Sequence, residues 1–119
     1  MKIIPLSEGA FTIDGTKKFI PFDTEKDDLQ QRPVGSLLVE IQPFAVITSN
    51  DVIVIDTGLG FSMPDGTLQI HQNLLSHGIG PLEVTKVLLS HLHKDHAGCI
   101  YKHDEMLKKK FLSFPNAVY

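Results

Sequence analysis

The chain has one cysteine, Cys99, and no tryptophan. A lone thiol cannot close an internal disulfide, so no cross-linked framework supports the fold. A reducing, cytoplasmic setting is the expectation. Long hydrophobic runs are also missing. The opening MKIIPLSEGAF is interrupted at Glu8 and is too short for a signal-peptide core, and nothing approaches the ~18 apolar residues of a membrane span. Positive charge is scarce: 11 lysines and arginines against 14 acidic residues leave a net charge of −3. That excludes the basic footprint of a nucleic-acid binder or of a protein held on an anionic membrane. The one basic run, Lys108-Lys109-Lys110, follows Asp104 and Glu105 and reads as a solvated helix end. Internal repeats and low-complexity segments are absent.

What remains is ordinary globular material. In 119 residues, 42% are apolar and 21% charged. That is enough for one domain, 1–119, with its own core. Residues 1–48 read as β-structure. KIIPL is a short strand, and Asp14-Gly15 between AFTI and TKKFI signals a hairpin. Residues 21–35, with Pro21 and Pro33 at their margins, read as a long surface loop. GSLLVEIQ and PFAVITS follow, then the turn Ser49-Asn50-Asp51. VIVID (52–56) reads as a strand buried on both faces and ends in the glycine-rich Asp56-Thr57-Gly58-Leu59-Gly60. A helix is expected from about Thr67, with Leu68, Ile70, His71, Leu74 and Leu75 on a rough stripe and Gly78 as its stop. VTKVLLS (84–90) is a second buried strand, HLHKDH its exit loop, and AGCIYKHDEMLKKKFL a second helix. FPNAVY opens a new turn and strand. The alternation of the second half suggests α/β layering on a β-rich first half.

Half of the six histidines lie within VLLSHLHKDHAG. If strand geometry persists past Ser90, His91 and His93 project to one side. Asp95 and His96 can point back from the far side of the loop. Imidazole and carboxylate suit zinc and other first-row divalent metals. Open α/β sheets place their ligands at the carboxyl ends of strands, where this loop lies. The plainer alternative is surface histidines with Asp95 as a helix N-cap, and four ligand-type residues in this pattern favour the metal. Asp56, at the end of the other buried strand, would accept a hydrogen bond from a ligand imidazole or from the loop backbone and so fix the ring. An Asx-type turn is the alternative there. His71, His77 and His103 read as surface or interfacial residues, and Cys99 as a small buried hydrophobe.

With these residues in place, the sequence resembles the metallo-β-lactamase superfamily of hydrolases. The resemblance rests on His91-x-His93-x-Asp95-His96 after an apolar strand, on Ala97-Gly98, and on Asp56-Thr57-Gly58 upstream, and it covers about residues 34–119. FPNAVY resembles the segment after the metal motif in the subgroup of N-acyl-homoserine lactonases and methyl parathion hydrolase-like enzymes. The resemblance implies the N-terminal half of an αβ/βα sandwich, an α/β fold with a mixed sheet and helices on one face. It implies two divalent metal ions, zinc the expected one. His91 and His93 would hold the first, Asp95 and His96 the second, and Asp56 would support the loop. It also implies a small-molecule lactone, ester or phosphotriester, attacked by a metal-bound hydroxide, with Asp95 as a catalytic residue passing a proton to the leaving group.

One departure is large. The family completes its site with a further histidine, a bridging aspartate and a last histidine, and this sequence supplies none of them. Truncation of a longer chain, an inactive fragment and an exposed apolar face that could form a homodimer are therefore the expectations. The alternatives are a non-catalytic or degenerate metal-binding or interaction module, or the same fold used on a thioester.

Overall fold

Alternating burial builds the first strand: Ile4 and Leu6 are buried while Ile3 between Lys2 and Ile4 is exposed. In the computed structural model, which describes residues 1–32, 34–104 and 109–119, that strand is β1 (Lys2–Pro5). It is followed by β2 (Gly9–Ile13), β3 (Ile20–Phe22), β4 (Leu37–Ile41), β5 (Phe44–Ile47) and β6 (Val52–Ile55). Helix α1 (Gln69–Leu75) leads to β7 (Lys86–Leu88), α2 (Lys94–Ala97), β8 (Tyr101–Asp104) and β9 (Lys109–Leu112).

The main sheet has the order β1-β5-β6-β7, antiparallel except for the parallel pair β6 and β7. Its register aligns Ile4 with Ala45, Ala45 with Val54 and Val54 with Val87. All four are buried, so one row of small and branched side chains crosses the sheet. The α1 residues Ile70 and Leu74 belong to the same core, with Leu6, Val84, Cys99 and Phe114. Each fully buried large side chain here is worth roughly 1.5–3 kcal/mol of transfer free energy. Far from the histidine loop, Lys86 Nζ meets Asp51 Oδ2 at 2.7 Å and ties the start of β7 to that of β6. A second sheet, β3-β2-β4, is antiparallel and packs Phe11 and Ile41 around Leu59. Leu59 comes from the loop after β6, so this loop is anchored in both layers. The fold is thus a mixed α/β arrangement with few helices.

Several expectations need correction. The strands after Asn50 are not buried on both faces: in β6 only Val54 is fully buried, and in β7 Leu88 is 58% exposed. The hairpin at Asp14-Gly15 exists, but its strands end at Ile13 and resume at Ile20. Asp14 Oδ1 accepts from Thr16 N at 2.8 Å, which makes an Asx turn rather than a two-residue hairpin loop. Within 21–35, Pro21 and Phe22 complete β3, and Leu29–Gln31 form one 3-10 turn.

The helix expected over 97–112 is replaced by α2, four residues long, and the antiparallel pair β8 and β9. A helix owes most of its stability to packing of an apolar face. Tyr101, Phe111 and Leu112 lie exposed, and among the described residues no layer covers them. Pro33 and the stretch Glu105, Met106, Leu107 and Lys108 lie outside the described residues. FPNAVY does find a partner: Phe114 is fully buried, and Val118 bridges Lys86 in parallel, with Val87 N donating to Val118 O at 2.9 Å. Among the described residues no helix is long and apolar enough to cross a membrane.

Candidate metal centre

Two loops meet at the carboxyl ends of β6 and β7. The first, residues 56–60, has positive φ at every second residue: Asp56 at 63°, Gly58 at 77° and Gly60 at 85°. Glycine meets that demand at no steric cost, and aspartate is among the few other residues that accept it. The second runs from Ser90 through α2 to Cys99. The two are laced together by backbone bonds: Asp56 N to Leu88 O at 2.8 Å, Thr57 N to His96 O at 2.7 Å, and Gly98 N to Gly58 O at 2.8 Å. Thr57 Oγ1 also accepts from Cys99 N at 3.1 Å.

Asp56 is the hub. One carboxylate oxygen accepts from Ser90 N at 2.7 Å. The other accepts from Ser90 Oγ at 2.8 Å and from His96 Nδ1 at 2.8 Å. Burial pushes the Asp56 carboxyl up, but the bonds from the Ser90 backbone, His96 and the Ser90 hydroxyl outweigh it and hold it below its ordinary value. An ionised Asp56 accepts only, so His96 carries a proton on Nδ1 and turns Nε2 toward Asp95. The same counting reaches His91. Ser90 has a single hydroxyl proton, and Asp56 takes it. Ser90 Oγ, 3.0 Å from His91 Nδ1, is therefore the acceptor of that pair, and His91 too presents Nε2.

The structure brings His91, Asp95 and His96 together, with one ligand atom of each within 4.8 Å of the others. His96 Nε2 is 3.3 Å from Asp95 Oδ2. The rings of His91 and His96 are 4.1 Å apart at 45°. His93, the N-cap of α2, stands edge-on to His91 with centroids 4.7 Å apart, adjacent to the three-donor cluster but not part of it. β7 ends at Leu88, so the histidines sit on the exit loop expected after this strand, and strand geometry does not persist to them. Two imidazoles and a carboxylate whose ligand atoms converge are a donor set that fits a divalent metal such as zinc.

The remaining candidates lie elsewhere. His71, expected at the surface or an interface, is buried: its Nε2 is 2.7 Å from Ser113 O and its ring packs on Phe114. Cys99 is fully buried and its thiol is pushed up to about 11, chiefly by desolvation, which makes it inert. His77 is exposed. Ser90 was not legible as a functional residue. Its one sequence signal is its place directly before His91, and a serine ending an apolar run is commonplace. A groove of about 390 Å³ lies beside the 56–60 loop, lined by Glu8, Phe11, Phe22, Phe61, Ser62 and Gln69, and it includes none of the 91–96 donors.

Comparison with known proteins agrees with this architecture. One solved structure is AidC, a dizinc quorum-quenching lactonase in complex with a product, N-hexnoyl-L-homoserine. It is 24% identical with a TM-score of 0.62, over 97% of this chain and 39% of that one. Another is a probable metal-dependent hydrolase from Staphylococcus aureus, 20% identical with a TM-score of 0.66, over 98% of this chain and 45% of that one. A third is the hydrolase AbOPH of the beta-lactamase superfamily, 25% identical with a TM-score of 0.64, over 98% of this chain and 39% of that one. The chain thus spans 39% to 45% of the length of these proteins. No curated protein matches it. The family model of the metallo-beta-lactamase superfamily matches residues 36–103, more than half of the sequence, and includes both loops of the site. The chain belongs to the metallo-beta-lactamase superfamily.

Proposed function

We propose that His91, His93, Asp95 and His96 bind divalent metal, zinc by the nature of the donors, in a hydrolase acting on a lactone, ester or phosphotriester. The observation that carries this reading is the convergence of His91, Asp95 and His96, with both imidazoles turned by Ser90 and Asp56 to present Nε2. The family membership and the dizinc lactonase and hydrolases of the same fold support the choice of reaction. Bound divalent ions lower the pKa of water and polarise a carbonyl or phosphoryl oxygen. The chain's own residues hold and orient. Asp56 fixes His96, Ser90 fixes His91, and Asp95 both ligates and passes a proton to the leaving group.

The division His91 with His93 and Asp95 with His96 gives each ion two protein donors, where a catalytic zinc usually has three. We therefore expect the 119-residue chain by itself to bind metal saturably but weakly and to hydrolyse little. Titration with Co²⁺, read by its visible absorption, tests the assignment. The double variant His91→Ala, His93→Ala should lose the first ion and its share of the absorption, and unchanged binding in that variant overturns the ligand set. In an active form, Asp95→Asn that keeps its metal and the wild-type pH-rate profile rules out the proton role.

A further inference from the structure

Glu8 lies directly before β2, distant in sequence from every residue of the metal loop. It is 5% exposed. Its backbone is held from two directions: Glu8 N donates to Ile41 O at 2.8 Å, and Gln69 Nε2 donates to Glu8 O at 3.2 Å. From this rigid base the side chain reaches beneath the 56–60 loop. Glu8 Oε1 accepts from Leu59 N at 2.9 Å, while Oε2 is buried with no hydrogen-bond partner among the described residues. The carboxyl occupies the space that a side chain at Gly58 would fill. A buried charge is costly unless paired, and here a single backbone N–H is the only bond to the carboxyl among the described residues. Such an arrangement persists when the bond fixes something that matters.

What it fixes is the loop. Leu59 N is held by Glu8, Gly58 O by Gly98 N, Thr57 N by His96 O, and the Asp56 carboxylate by Ser90 and His96. The loop is thus held by Glu8 and by the 90–98 segment, and Asp56 reaches from it to His96. We infer that Glu8 is a positioning residue of the metal centre: through the Leu59 N–H it sets the 56–60 loop, and through Asp56 the orientation of His96. Its link to metal rests on the function proposed above, but its effect on the His96 ring does not.

The test uses the 119-residue chain. Glu8→Met removes the acceptor at similar volume and suits a buried position, and Glu8→Gln keeps an acceptor for Leu59 N–H without the charge. Long-range ¹H–¹⁵N spectra of the metal-free chain read the His96 tautomer. Wild type and Glu8→Gln should show His96 protonated on Nδ1, and Glu8→Met a mixture of tautomers. In Co²⁺ titrations Glu8→Met should bind about tenfold more weakly than wild type, the loss typical of a support behind a ligand, with Glu8→Gln restored. A folded Glu8→Met with wild-type tautomer and wild-type affinity overturns the inference. Should Glu8→Met not fold, the Leu59 amide of the wild type decides: slow hydrogen exchange upholds the clamp, and exchange as fast as exposed loop amides overturns it. If the wild type binds no cobalt, yet Glu8→Met changes the His96 tautomer, the metal reading is refuted and the positioning role stands.

Discussion

Asp56 holds a left-handed backbone, φ 63°, while its carboxylate collects three hydrogen bonds. These two facts have opposite consequences on substitution. Glycine and alanine both lose the bonds, but of the two only alanine keeps the steric cost of a Cβ in this conformation, about 1–2 kcal/mol. Asp56→Gly should therefore be more stable than Asp56→Ala by about 1 kcal/mol in urea unfolding, the reverse of the usual order in regular structure. Equal stabilities would mean that the loop relaxes to another conformation. Glu8 supplies a pH effect. Desolvation raises its carboxyl above the ordinary 4.5, with the Leu59 bond acting against it. The folded chain then binds the proton more tightly than the unfolded chain does. Stability from this group is complete below the ordinary value and declines as pH rises through the raised one. Unfolding midpoints measured from pH 4 to 8 should show that decline in wild type relative to Glu8→Gln, and parallel curves would contradict it.

At the level of elements, the contact between the 56–60 loop and α2 is made by glycines. A Cβ on Gly98 would lie 2.5 Å from Leu59 O and from Lys94 O, both backbone atoms that cannot turn aside. Gly98 has an ordinary φ of −71°, so Gly98→Ala isolates the steric effect from conformational strain. It should destabilise by about 1–3 kcal/mol, as overpacking does, with a lower thermal midpoint and weaker cobalt binding. The elements up to Ile55 were readable because alternation of buried and exposed residues is short-range and written in the chain, as in Ile3, Ile4 and Leu6. The clustering of His91, Asp95 and His96 was readable for the same reason, since all three lie within six residues. The segment from Gly98 to Leu112 was not. Its apolar residues satisfy a helical stripe, but whether a helix forms depends on a partner layer that local sequence does not encode. Ser90 and Glu8 were invisible as well. Each is an unremarkable residue locally, and its importance comes from a contact to Asp56 or Leu59, positions separated from it by 34 and 51 residues.

Across the whole molecule, the apolar surface is unevenly covered. Leu88 on β7 and Val118 on the segment bridged to it are 58% and 72% exposed at one side of the main sheet. We propose that this side mediates self-association of the 119-residue chain. Sedimentation velocity should show a weight-average mass that rises with concentration, and Leu88→Lys should suppress the rise. A concentration-independent monomer in the wild type would refute it.

The lacing of the 56–60 loop also bears on the order of folding. Its bonds reach back 51 residues to Glu8 and forward 40 residues to His96. Neither can close before the chain ends they join have met, and such non-local closures come late because loop entropy is spent before any contact repays it. The donors of the HLHKDH turn are local and can cluster early, but their rings are aimed only when the hub is in place. In stopped-flow refolding, cobalt absorbance should therefore appear with the slowest phase, after most of the secondary structure has returned. Absorbance that develops in the fastest phase would mean that the turn aims its own ligands.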